Sequence, residues 1–164
     1  MRLTTLSDYA LRVLMYTAAH HDRLVTIEET ARVYHVSRSH LMKVVNILSR
    51  AGFLVSVRGR TGGFMLASSP ETINLGAVLR ATEPDFALVE CFISGNQCIL
   101  TTRCRLPEAL NDALGAFLAA MERYTLADLV LQRTDFSAPA PPDGALRGPV
   151  LSGSRRSGDD HLSD

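Results

Sequence analysis

Three cysteines, Cys91, Cys98 and Cys104, stand in the single stretch VECFISGNQCILTTRCRLPEAL, and no other cysteine occurs in the 164-residue chain. Thiols gathered in this way ligate metals or exchange disulfides. An odd number leaves one thiol without a partner, and a disulfide-stapled secreted domain is shorter, denser in cysteine and preceded by a signal peptide. The opening segment MRLTTLSDYALRVLMYTAAHHDR carries Arg2, but Asp8 and Arg12 interrupt the apolar run that a signal peptide requires. No run of about 18 apolar residues occurs, so no membrane-spanning helix and no membrane partner are expected. The expected setting is cytoplasmic, where clustered thiols point to metal or redox chemistry. Zinc is the plainer metal, yet it favours four Cys or His ligands in closer pairs, and this loop contains no His. An enzyme is not expected. No Ser-His-Asp or Cys-His constellation can be placed, no glycine-rich phosphate loop opens a helix, and no carboxylate pair has a positional logic.

A second set of chemistry-bearing residues is basic. The formal net charge is zero, but residues 1–70 carry nine Arg or Lys against four Asp or Glu, whereas residues 71–136 carry five against nine. A basic first half fits a polyanionic partner and an acidic second half a separate task. In TIEETARVYHVSRSHLMKVVNILSRAGFL, Thr26 with Glu29 three residues later forms a capping-box signature, which predicts a helix from Thr26 to about Tyr34. After a tight break, Ser37 caps a second helix in which Leu41, Val44, Val45 and Leu48 form one apolar stripe. Arg38, Ser39, Lys43, Asn46 and Arg50 fall on the opposite arc, and His35 and His40 flank the turn. Such a pair is a helix-turn-helix whose second helix enters a major groove, with Ser37, Arg38, Ser39, His40 and Lys43 as candidate DNA contacts.

Gly52 suits the left-handed end of that helix. FLVSVR then alternates Phe53, Val55 and Val57 against Leu54, Ser56 and Arg58, the period of a half-buried strand. GRTGG is a turn and FMLA a return strand, giving a wing whose tip offers Arg58 and Arg60 beside glycines that let backbone approach a phosphate. Solvated hairpins and amphipathic helices with basic faces are each commoner than DNA readers. It is the order helix, turn, helix, wing inside the basic half that favours DNA.

The elements that position the thiols follow. Asn74 caps a short helix, with Ile73 stapled against Val78, and Pro107 suits the first turn of a longer one. Leu110, Leu114, Phe117, Met121 and Tyr124 then recur at spacings of four and three, an a/d seam of about two heptads that predicts a homodimer. The plainer alternative is a helix packed on its own domain. From Ser137, SAPAPPDGALRGPVLSGSRRSGDDHLSD has too few large apolar residues to offset the entropy of ordering it, and a disordered tail is expected. The expected fold is mainly α with a small β-hairpin wing: a winged helix-turn-helix over 1–80, a thiol loop and long dimerisation helix over 81–136, and the tail over 137–164.

Four stretches, MRLTTLSDYALRVLMYTA, VSRSHLMKVVNILSRAGFLVSVRGRTGGFML, INLGAVLRATEPDFALVEC and CRLPEALNDALGAFLAAMERYTLADLV, closely resemble the iron-sulfur winged-helix regulator family, and within it the nitric-oxide-sensing repressors. The resemblance runs from residue 1 to about residue 131. It implies a homodimeric repressor of transcription on a palindromic double-stranded DNA operator. It also implies that Cys91, Cys98 and Cys104 ligate an iron-sulfur cluster, [4Fe-4S] in type with [2Fe-2S] as the alternative. Three cysteines leave one iron of a four-iron cluster short of a ligand. The resemblance assigns that place to an aspartate of the other subunit, matched here by Asp8 in SDYALR. By its own position Asp8 is a helix cap or a partner of the helix dipole. His20, His21, His35 and His40 are rival ligands, the first two expected to face solvent. The implied switch is nitric oxide at the iron, with nitrosylation or loss of the cluster releasing DNA. A sensor of cluster supply is the rival within the family, and an iron-sulfur electron-transfer or scaffold protein the rival outside it. The first cysteine interval, six residues, is longer than family members often have, which bears on the cluster type.

Overall fold

The computed structural model describes residues 2–100 and 103–137, so the expected tail lies, beyond Ser137, outside the described residues. Helix α1 (Thr5–Ala19) starts where Thr4, in extended conformation, accepts the Ser7 N–H at 3.3 Å. Asp8 therefore is not the cap; it lies within the first turn. Ala10, Val13, Leu14 and Thr17 recur at helical spacing and are all buried, which makes α1 the central post of the molecule.

Helix α2 (Ile27–Tyr34) is capped by Thr26, whose hydroxyl accepts the Glu29 N–H at 3.2 Å. The expected reciprocal arm is diverted: the Glu29 carboxylate takes the Arg23 guanidinium at 2.8 and 3.1 Å. His35 ends the helix with φ +53°, and among the described residues no other non-glycine residue has positive φ. His tolerates this region better than most side chains, and the reversal makes the turn into the next helix tight. Helix α3 (Arg38–Arg50) follows, with Ser37 as its cap and Leu41, Val44, Val45 and Leu48 buried as the spacing predicts. Gly52 closes it at φ +80°.

Strands β1 (Leu54–Val57) and β2 (Gly63–Leu66) pair antiparallel from Leu54 opposite Leu66 to Val57 opposite Gly63. Val25 bridges the outer side of β2, exchanging two hydrogen bonds with Phe64 at 2.8 Å each. The alternation expected in β1 is not what decides its burial. Leu54 is buried, while Val55 and Val57 are 48% and 44% exposed. A two-stranded ribbon touches the core only at its base, and β2, clasped by Val25, supplies the inward side chain, Phe64, which is fully buried.

Helix α4 (Leu75–Thr82) is capped by Asn74, which accepts the Ala77 N–H at 3.0 Å, and Ile73 and Val78 share the core. Helix α5 (Leu106–Met121) carries Pro107 in its first turn. Leu118 is buried, whereas Leu110, Leu114, Phe117 and Met121 are half-buried. The seam is one residue shorter than expected. Tyr124 lies past the helix end, and its carbonyl accepts the Leu75 N–H at 3.0 Å, tying the connection to α4.

Helix α1 packs against α3 and α4, and α4 against α5. The chain then returns to α1. In the short turn Arg133–Ser137, Phe136 stands 5.1 Å from the Tyr16 ring, Arg133 donates to the Ala19 carbonyl at 2.9 Å, and its guanidinium pairs with Asp22. This strap covers His20, which stacks on Tyr16 at 4.2 Å and is 8% exposed, contrary to the expected solvent-facing position. His21 alone of that pair faces solvent.

Candidate functional site

Between α2, α3 and the wing runs a groove of about 400 Å³ lined by Glu28, Arg38, Met42, Asn46, Val57 and Arg58, among others. Arg38, Ser39 and Lys43 are exposed on the outer arc of α3, which the buried stripe on the opposite side fixes in place. Ser37 is occupied as the cap, so its first role is to start the helix. His40 is half-buried and edge-on to Tyr9 of α1, ring centroids 5.2 Å apart, so it serves the packing of α3 on α1. Arg58 and Arg60 are exposed at the wing tip. Two glycines there answer to nearby backbone: a Cβ on Gly62 would stand 2.4 Å from the Val57 carbonyl oxygen of the hairpin, and one on Gly63 2.5 Å from that of Val25, which bridges β2. Gly59, at φ +124° with open space around it, is the glycine left free for close approach.

The thiol loop leaves the end of α4 and runs into α5. Cys91 and Cys104 are half-buried and Cys98 is exposed. Cys91 borders an open pocket of about 480 Å³ lined by Phe86, Phe92, Pro107 and Leu114, among others. The Cys104 sulfur accepts the Leu106 N–H at 3.4 Å, at the N-terminus of α5. The donor set suits iron by its chemistry, being three thiols on one loop with none spent in a disulfide. It is not drawn together as a ready chelate: among the described residues no three His, Cys, Asp or Glu side chains converge.

Asp8 sits in the fork of Arg12 one turn along α1, with its oxygens 3.0 Å from Nε and 2.9 Å from a terminal nitrogen. The Arg12 guanidinium lies 5.6 Å from the Tyr9 ring and 6.0 Å from that of Tyr34. The Tyr34 hydroxyl donates to the Arg12 carbonyl at 2.8 Å, and burial pushes this phenol far above its ordinary range, so it stays a neutral donor. Arg12 was legible as the residue four places after Asp8. Two further partners had no local signal. Glu28 of α2 pairs with Arg38 of α3. Glu83, at the end of α4, accepts from the Thr4 N–H at 2.8 Å, beside a buried hydroxyl pair of Ser7 and Thr82 at 2.8 Å. These bonds join the start of α1 to the root of the thiol loop.

The chain is similar to the HTH-type transcriptional regulator NsrR of Bacillus subtilis (strain 168), at 45% identity over 137 residues, covering 82% of this chain and 94% of that one. It is also 45% identical over 135 residues to the regulator of the same name from Geobacillus kaustophilus (strain HTA426), covering 81% and 92%. Among solved structures, CymR, the global cysteine regulator of B. subtilis, superimposes with a TM-score of 0.58 at 27% identity, over 79% of this chain and 95% of that one. T. potens IscR does so with 0.60 at 22% identity, over 79% and 85%, a likeness of fold. The family model Rrf2, described as iron-dependent transcriptional regulator, matches residues 3–132. That span takes in α1, the helix-turn-helix, the wing, the thiol loop and α5, and so this chain belongs to the Rrf2 family of transcriptional regulators.

Proposed function

We propose that the chain is a cytoplasmic, homodimeric repressor that binds a palindromic DNA operator and senses nitric oxide through an iron-sulfur cluster held by Cys91, Cys98 and Cys104 of one subunit and Asp8 of the other. The observation that carries this reading is the placement of all three cysteines on the one loop that joins α4 to α5. When bound, a cluster of the four-iron type supplies iron that takes up nitric oxide. The chain's own residues do the rest. Arg12 is positioned to hold the Asp8 carboxylate whenever Asp8 is not a ligand. A carboxylate is a harder and weaker partner for iron of this kind than thiolate, so of the four ligands Asp8 would be the one held least tightly. The loop is rooted at Glu83, bonded to the start of α1, and α1 packs on α3. Arg38, Ser39 and Lys43 address base edges, and Arg58 and Arg60 address phosphates. The half-buried stripe of α5 joins two copies, holding the two α3 helices about one turn of DNA, roughly 34 Å, apart. Residues 1–80 act as the reader and 81–136 as the sensor.

The test is anaerobic purification with iron analysis, absorbance followed during nitric oxide titration, and binding to a duplex selected from random DNA. Iron near four per subunit is expected, with operator binding lost as nitric oxide is added. A protein without iron or sequence preference overturns the proposal. A cluster whose reaction with nitric oxide leaves operator binding intact assigns the protein to the sensing of cluster supply instead.

A further inference from the structure

Glu28 is the only carboxylate among the described residues that line the groove between α3 and the wing, where Arg38, Asn46 and Arg58 are among the polar residues. It projects from the first turn of α2 and pairs with the terminal guanidinium nitrogen of Arg38, the first residue of α3; the two side chains are 51% and 68% exposed. A carboxylate on a face that meets a polyanion repels phosphates. The dipole of α2 explains an acid in its first turn, and Glu29 shares that place, but Glu29 turns away to Arg23. Pairing of Glu28 with Arg38 therefore needs its own account. An exposed ion pair contributes little to folding, and it strengthens when an interface closes over it and excludes water. An unrestrained arginine takes any nearby phosphate. One held by a carboxylate through one terminal nitrogen keeps its remaining N–H donors in a fixed plane, and that plane matches the O6 and N7 acceptors of guanine.

We propose that Glu28 is a positioning residue for sequence readout: it holds Arg38 for one guanine of the operator and disfavours binding to unrelated DNA. This rests on α3 being the DNA-reading helix. The experiment uses the full chain and a duplex selected by it from random DNA. Base-pair replacements locate the guanine whose discrimination disappears in Arg38→Ala. At that position Glu28→Gln is expected to lower discrimination about tenfold, to tighten binding to unrelated duplex and to steepen its salt dependence. In the Arg38→Ala background the same substitution should leave discrimination unchanged. Glu28→Asp keeps the charge but falls short of the guanidinium, so it should lose discrimination while still resisting unrelated DNA. Melting curves matching wild type are expected for all of these variants, as both positions are exposed. Undiminished discrimination in Glu28→Gln, an equal loss in the Arg38→Ala background, or no guanine that depends on Arg38 overturns the inference while DNA reading stands. Failure of the wild-type chain to select any sequence overturns both.

Discussion

Asp8 and Thr4 divide between them two roles that their neighbourhood in sequence leaves tangled. The Thr4 hydroxyl supplies the cap of α1 and also donates to the Glu83 carboxylate at 3.2 Å, so Thr4→Ala should lower stability by about 1 kcal/mol or somewhat more. Asp8 holds only a half-exposed pair with Arg12, so Asp8→Ala should cost about 0.3–0.5 kcal/mol. Its larger effect should appear in the absorbance of the reconstituted cluster and in operator affinity. Thermal melts and anaerobic spectra of the two variants settle the division. A full cap's worth of destabilisation in Asp8→Ala, with a wild-type spectrum and nitric oxide response, would return Asp8 to a purely helical role. Asp22 offers a titratable check on the strap. The hydrogen bond from Arg133 holds its carboxyl below the ordinary value of 3.8. A carboxyl depressed in the folded state contributes stability above its unfolded value and loses it as pH falls through the folded one. Protection factors of amides near Ala19, taken relative to the intrinsic exchange rate at each pH, should therefore hold steady at neutrality and fall only below the ordinary carboxylate range, and Asp22→Asn should abolish that step.

Helix α3 and the wing share one groove, and the proposed function has them address different parts of a duplex. Lys43→Ala removes a charge from the outer arc of α3, away from the thiol loop, and should weaken operator binding by about 1–3 kcal/mol if it reads a base, with cluster absorbance unchanged. Arg60→Ala at the wing tip should weaken all duplexes alike and reduce the salt slope by about one phosphate equivalent. Titrations at several salt concentrations separate the two effects. An unchanged slope in Arg60→Ala leaves the wing a solvated hairpin. The wing depends on glycine for its shape as well as its reach, since Gly63 sits where any Cβ would strike the Val25 carbonyl that clasps Phe64.

The molecule as a whole leaves Leu110, Leu114, Phe117 and Met121 half-buried along one side of α5, which packs on α4. Leu114→Asp should place an unpaired carboxylate in a dimer interface and weaken association by about 3 kcal/mol or more, read by sedimentation. A dimer that survives this change lies elsewhere. Truncation after Ser137 should alter neither association nor operator affinity. Truncation before Arg133 removes the pair with Asp22 and the Phe136 ring from Tyr16, and it should lower the melting temperature measurably.

Local and periodic information was enough for much of this protein. Thr26, Ser37 and Asn74 cap their helices because a short hydroxyl or amide side chain beside an apolar run satisfies free N–H groups without distant help. The stripe of α3 fell into place for the same reason, since 3.6-residue spacing alone determines which side chains share a face. The thiols were visible as a cluster because they are neighbours in the chain. Tertiary structure decided the rest, wherever the partner is far along the sequence. Which β1 residues are buried depended on Val25 clasping β2, His20 was covered by Phe136, and Tyr124 left the seam to tie α4 to the end of α5. Glu28 with Arg38 and Thr4 with Glu83 likewise meet only after the chain has packed, because charge and hydrogen-bond complementarity between separate helices leaves no periodic trace in the sequence.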